Sequence, residues 1–245
     1  MVRGAGSALT VFGAHAVLEA LEGGKNVRVV YLKRGKFDAK TDQVTDLCKE
    51  RGIPVHWTGA DFFRNENRRH WIAAQITVTA VMGEDELLNR AAGGPLLLLH
   101  KINDPRNLGA ILRTACGLGF SCVGVTVHES APLSETVYET SAGAVAHLSI
   151  GNISNAAAFI KKAKDAGYWI YGATMEGQPV GELKFEPKTL LVMGSEGKGL
   201  SDYLKQECDF LVGIPMKGKI DSLNVSTAAA ILLYEVGKAM PDTNR

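Results

Sequence analysis

The chain has 245 residues, 46% hydrophobic and 22% charged, and its 27 basic and 26 acidic side chains leave a net charge of +1. So apolar a composition buries a sizeable core, which excludes a wholly disordered or collagen-like chain; the length fits one large domain, or one of about 150 residues with a smaller companion. A charge this close to zero neither demands nor forbids a polyanionic partner, which would need its cations gathered locally.

Residues 1–6 carry no apolar run of the kind that marks a signal peptide. Ala14 to Leu21 has helical periodicity, and Val27 to Leu32 is a β-branched strand. Thr41 to Arg51 reads as an amphipathic helix with Val44, Leu47 and Cys48 on one face. Ile53 to Trp57 and Ala74 to Val81 read as two more strands. Residues 1–82 are therefore expected to form a small α/β domain. Residues 83–94, acidic and small and ending in Gly93-Gly94 before Pro95, are expected to be a linker.

From Pro95 the rhythm is strand, helix, strand, helix. Leu96 to Ile102 reads as a strand whose continuous apolar run, Leu96 to Leu99, ends at His100 and Lys101, as a strand buried on both faces requires. Leu108 to Leu118 follows as a helix, Cys122 to Val127 as a strand, then helices near Glu135 to Val145 and Ser154 to Ala166. Strands at Trp169 to Ala173, Thr189 to Met193 and Phe210 to Ile214 precede a last helix over about Val225 to Met240. Residues 95–245 thus read as an α/β domain with a mainly parallel sheet and its ligand site at the carboxyl ends of the strands. No apolar run approaches the roughly 20 residues that span a bilayer. Cys48, Cys116, Cys122 and Cys208 form no CxxC pair and no metal-ligand spacing, and read as reduced thiols of a cytoplasmic protein that holds no metal.

Three strand ends carry unusual chemistry. In Asn103 to Ala115, Asp104-Pro105 is helix-start chemistry, Asn107 is equally readable as a cap, and Arg113 interrupts apolar residues. An arginine there either reaches solvent along its stem or meets an anion. In Leu190 to Ser201 a strand enters a loop with Gly194, Gly197 and Gly199 around Glu196; its spacing fits neither the Walker loop nor GxGxxG. In Ile214 to Ala229, Ser222, Asn224 and Ser226 all precede the last helix, and only one or two of them can cap it. That helix is apolar on several faces, which means burial in the domain or against another subunit.

Together, NLGAILRTA, LVMGSEGKGLS and IPMKGKIDSLNVSTAAAILLYE resemble the three ordered motifs of the SpoU/TrmH family of RNA ribose 2′-O-methyltransferases. Phe12 to Leu21 resembles the opening of the bacterial members that act on guanosine of 23S ribosomal RNA. The resemblance implies a deep trefoil knot in the α/β domain, a homodimer packed through the knotted region, and a small ribosomal-protein-like RNA-binding domain. It also implies methyl transfer from S-adenosylmethionine to a ribose 2′-hydroxyl. By matched position it assigns Gly194, Ile214 and Leu223, with Met216 and Thr174, to the cofactor. Asn107, Arg113, Glu196, Ser222 and Asn224 are assigned to catalysis.

An arginine, with pKa above about 12, is a poor general base near neutrality. Arg113 is therefore expected to anchor an RNA phosphate and stabilise the developing alkoxide, with Glu196 positioning the hydroxyl or offsetting the sulfonium. Asn224 is expected to secure the loop. Phosphates need cations, and the first domain offers Lys33, Arg34 and Lys36, then Arg64, Arg68 and Arg69, near Phe62, Phe63 and Trp71. Basic residues interleaved with aromatics suit unpaired RNA, although charge pattern alone fits a solvated loop equally well. His15 reads as structural. The chain departs from many relatives at His70-Trp71-Ile72, where they read His-Gln-Gly, and at Tyr138 and Glu139, where they carry lysines. Ribosomal RNA is the expected substrate; the rivals are a transfer-RNA enzyme of the same family, a catalytically silent RNA-binding module and, more distantly, a nucleotide-dependent oxidoreductase.

Overall fold

The computed structural model of the protein describes residues 8–22, 27–63, 70–77 and 81–240. In chain order the first elements are β1 (Ala8–Phe12), α1 (Ala14–Glu22), β2 (Val27–Lys33), α2 (Ala39–Glu50), β3 (Val55–Thr58) and β4 (Ile72–Thr77). Next come α3 (Glu84–Ala91), β5 (Leu96–Leu99), α4 (Pro105–Gly117), β6 (Cys122–Thr126), α5 (Glu135–Thr140), β7 (Ser149–Ile153) and α6 (Ala156–Asp165). Then follow β8 (Trp169–Pro179), β9 (Thr189–Met193), α7 (Asp202–Gln206), β10 (Phe210–Gly213) and α8 (Val225–Gly237).

These elements pack as two compact units, one from Met1–Ala80 with Leu133–His147, the other from Val81–Pro132 with Leu148–Arg245. The first unit is a four-stranded sheet in the order β1-β4-β2-β3, antiparallel except for the β2–β3 pair. Strand β1 is an addition to the elements that periodicity predicts. The α5 segment belongs to this unit although it follows β6 in the chain. It is held where Gly143, at φ +86°, approaches α1 so closely that an added Cβ would stand 2.5 Å from the Glu19 Cβ.

The second unit is the expected parallel sheet, in the order β10-β8-β9-β5-β6-β7. Its central strands are apolar throughout because both faces are covered: all four leucines of β5 are 0% exposed. Helix starts are explicit: Asp104 accepts from the Arg106 N–H at 2.8 Å ahead of Pro105, and Asn155 caps α6. Asn107 is therefore not the cap of α4.

The 83–94 segment is not a linker. Its acids Glu84, Asp85 and Glu86 form the first turn of α3, where a helix dipole favours negative charge, and Lys162 pairs with the first two at 2.9 and 3.0 Å. Leu87 is fully buried in the second unit's core, against a glycine (Gly151) of β7 where a Cβ would lie 2.7 Å from the Leu87 Cδ2. Strand β7, Ser149–Ile153, is hidden in the sequence by its small and polar residues.

Candidate active site

Three loops leave the carboxyl side of the parallel sheet, and each contributes one member of a side-chain network. Asn107, 9% exposed in the first turns of α4, donates from Nδ2 to Glu196 Oε2 at 3.0 Å. Asn224 donates from Nδ2 both to Asn107 Oδ1 at 3.1 Å and to Glu196 Oε1 at 3.2 Å. Each carboxylate oxygen thus accepts one amide hydrogen and keeps a lone pair for another donor. These residues lie 89 and 117 positions from Asn107 in the chain, so only the fold brings them together.

Local structure fixes each member. Glu196 sits at the tip of a tight turn closed by the Gly199 N–H donating to the Ser195 carbonyl at 2.9 Å. Gly197 and Gly199 there adopt φ +79° and +62°, which side-chain-bearing residues rarely do. Gly194 is buried where an added Cβ would stand 2.2 Å from the Gly199 backbone, so the strand-to-turn crossing requires glycine. Asn224 also serves its own helix, where its Oδ1 caps α8 by accepting from the Ser226 N–H at 2.8 Å and the Ser226 Oγ at 2.6 Å. Of the three rival caps before that helix, Asn224 is the one used.

The other two residues expected to be catalytic stand apart from this network. Arg113 is exposed on α4, six residues beyond Asn107 and so about 120° round the helix. Ser222 is exposed and makes no hydrogen bond among the described residues. Of the residues expected to hold the cofactor, Ile214, Met216 and Leu223 are half-buried along the loop between β10 and α8. Thr174 lies in β8 beside that loop: a Cβ on Gly213 would approach the Thr174 carbonyl oxygen to 2.9 Å. Its Oγ1 is buried and, among the described residues, unpartnered. A buried hydroxyl without a partner, beside main-chain groups at strand ends, fits a polar ligand such as a nucleoside cofactor.

His100 is a residue that the sequence does not single out. It ends β5, its N–H donates to the Met193 carbonyl at 2.8 Å, and its Nδ1 is buried without a partner among the described residues. Burial, aided by the Lys101 charge and opposed by Glu129, lowers its pKa and favours the neutral ring. Its signal is the polar residue that stops the apolar run Leu96 to Leu99.

In the first unit Lys33 ends β2, the Arg34 Nε donates to the Trp57 carbonyl at 3.3 Å, and the Lys36 Nζ stands 5.1 Å from the Trp71 ring centroid. Arg64, Arg68 and Arg69 lie outside the described residues. Among the described residues no helix is long and apolar enough to cross a membrane, and no group of three His, Cys, Asp or Glu side chains is placed to hold a metal ion.

Comparison with known proteins points to one family. The SpoU rRNA methylase family profile matches residues 95–234, and the RNA 2′-O ribose methyltransferase substrate-binding profile matches residues 10–61. The chain is 36% identical, over 92% of its length and 94% of the relative's, to the 23S rRNA (guanosine-2′-O-)-methyltransferase RlmB of Pseudomonas aeruginosa. It is 30% identical, over 92% and 94%, to the putative TrmH family tRNA/rRNA methyltransferase YacO of Bacillus subtilis. Among solved structures, the putative TrmH-family RNA methyltransferase of Porphyromonas gingivalis superposes with a TM-score of 0.75 at 27% identity, covering 94% of this chain and 89% of that one. The SpoU methyltransferase AviRb of Streptomyces viridochromogenes in complex with AdoMet shares the fold, with a TM-score of 0.78 at 24% identity over 94% and 90%. On two matched profiles and near-complete coverage of its relatives, the chain belongs to the SpoU rRNA methylase family of RNA ribose 2′-O-methyltransferases.

Proposed function

We propose that this protein methylates the ribose 2′-hydroxyl of a guanosine in 23S ribosomal RNA, using S-adenosylmethionine, in the cytoplasm. The observation that carries the reading is the Asn107–Glu196–Asn224 network at the ligand end of the parallel sheet. The ribosomal RNA assignment is supported by the 36% identity to an enzyme of that name.

When bound, S-adenosylmethionine supplies a methyl group on a sulfonium, a good leaving group, so the protein's work is placement and proton handling. Gly194, Ile214, Met216, Leu223 and Thr174 would hold the cofactor, the first four chiefly through main-chain groups and Thr174 also through its unpartnered hydroxyl. Glu196 accepts the hydrogen of the ribose hydroxyl on a lone pair left by the two asparagines and orients the oxygen in line with the methyl. Such orientation supplies several kcal/mol of the barrier, with about 7–11 kcal/mol as the ceiling. Arg113 binds an RNA phosphate and stabilises the developing alkoxide, and the proton leaves the hydroxyl along its hydrogen bond to Glu196 and passes on to water. Ser222, exposed beside Leu223, contacts the RNA.

The chain acts as a homodimer through the knotted portion. Helix α8 supports this: Val225, Ala229, Leu232, Leu233 and Val236 are buried, while Tyr234 is 56% exposed and Ile231 half-exposed on an otherwise apolar helix. The knot rests on membership of the SpoU family, whose profile matches residues 95–234. The test is incubation of the full chain with methyl-labelled S-adenosylmethionine and undermodified 23S RNA, followed by digestion to nucleosides. Label in 2′-O-methylguanosine is expected; label on a base, or none, defeats the reading.

A further inference from the structure

At one end of the first unit's sheet four chain segments meet. The Gly13 N–H after β1 donates to the Ile72 carbonyl at 2.9 Å, the Lys33 N–H at the end of β2 donates to the Trp71 carbonyl at 2.9 Å, and the Arg34 N–H donates to the carbonyl of Thr58 at the end of β3 at 3.0 Å. Between them lies a cavity of about 450 Å³, within the roughly 300–1,000 Å³ of small-molecule sites, lined by Phe12, His15, Lys40, His70, Trp71 and Glu139 among others. Glu139 arrives from α5, so the cavity draws on chain beyond the residues 10–61 matched to the substrate-binding profile.

Its chemistry is that of a nucleobase site. Four of the six side chains are flat rings, and the two others are a cation and a carboxylate. The Lys40 ammonium lies 3.0 Å from the His15 Nε2 and, with three hydrogens, has others to offer a ligand. A phosphate inside would face Glu139, whereas a base presents apolar faces to the rings and a polar edge to Lys40 and Glu139. The backbone of such a nucleotide has its cations outside the cavity, at Lys33, Arg34 and Lys36 on the loop leaving the same sheet end. A second aromatic surface adjoins: Phe37, 72% exposed, pairs with Trp57, 37% exposed, at a centroid distance of 5.3 Å.

We infer that this cavity binds one unstacked nucleobase of single-stranded RNA, with the neighbouring base stacking on Phe37 and Trp57. The inference deepens the reading of RNA as substrate and rests on it. Stacked bases of a duplex cannot enter such a cavity, so the site selects loops and unpaired strands.

The test is fluorescence anisotropy of the full chain with a labelled, unstructured RNA strand of about a dozen nucleotides and with its perfect duplex. Lys40→Ala, His15→Ala and Phe37→Ala are each expected to weaken single-strand binding about tenfold, the scale of one lost base contact, while Lys161→Ala in the second unit changes nothing. The duplex is expected to bind at least about tenfold more weakly than the strand. Binding by all three variants within twofold of the unmodified chain, or equal binding of strand and duplex, overturns the inference. Phe37→Ala keeps the test sharp because so exposed a side chain does not support the fold. Methyl transfer by the unmodified chain is scored separately: transfer with insensitive variants removes the cavity and keeps the function, and no transfer removes the function while anisotropy still decides the cavity.

Discussion

Asn224 joins the stability of α8 to the geometry of Glu196, and three substitutions separate those roles. Asn224→Ser retains an oxygen able to cap the helix but loses the amide that reaches Asn107 and Glu196. Its cost comes from the Asn107 Oδ1, in a residue only 9% exposed, which is left without its donor: about 1–2 kcal/mol. Asn224→Ala also loses the cap, worth about 1 kcal/mol more, for a total of about 2–3 kcal/mol. Asn224→Asp keeps the cap but sets a second carboxylate where the amide lies 3.2 Å from Glu196 Oε1. The repulsion makes it at least as destabilised as the alanine variant at neutral pH, and the loss shrinks with salt or as pH falls through the carboxylate range. Urea denaturation gives the stabilities and single-turnover methyl transfer gives the chemistry. All three variants are expected to lose at least about tenfold in rate, one misplaced hydrogen bond in the transition state being worth at least about 1.4 kcal/mol. Equal stability of the serine and alanine variants would refute the cap, and wild-type rates in all three would refute the idea that the network positions Glu196.

Arg113→Ala should reduce turnover by about a hundredfold or more, on the scale of one lost electrostatic stabiliser, with calorimetric affinity for S-adenosylmethionine nearly unchanged; equal loss of both would make Arg113 a structural residue. Gly194→Val should abolish cofactor binding and also lower the melting temperature, since the new side chain meets the Gly199 backbone; a normal titration with normal stability would contradict the tight crossing. Burial pushes the Cys48 and Cys208 thiols up to about 11 from an ordinary value of 9.0. At pH 8 their reactive thiolate fraction is then about a hundredfold below that of an ordinary thiol. Iodoacetamide should therefore label both slowly in the native chain and quickly in denaturant; rapid native labelling would show that the cores around them open.

The parallel sheet is legible in the sequence because Leu96 to Leu99 and Thr189 to Met193 are apolar at every position but one, which only strands covered on both faces tolerate. The site is legible through resemblance rather than periodicity: by capping rules alone Asn107 and Asn224 are interchangeable helix starts, and only contacts spanning 117 residues distinguish them. Segment 83–94 misleads because acids crowded before an apolar pair look like a loop, although the same acids favour a helix N-terminus. Strands β1 and β7 are five residues each and carry too little alternation to stand out. The cavity of the first unit is illegible for another reason. Its residues are ordinary one by one, and the return of α5 to that unit is a property of packing that no local pattern records.

Ribose methylation mapped across total RNA tests the central assignment most directly, in cells with the intact gene, with its deletion, and with the deletion complemented by Arg113→Ala. One 2′-O-methylguanosine of 23S RNA is expected to disappear on deletion, to return with the intact chain and to stay absent with the variant. A mark lost only from transfer RNA, or one restored in full by the variant, would contradict that assignment.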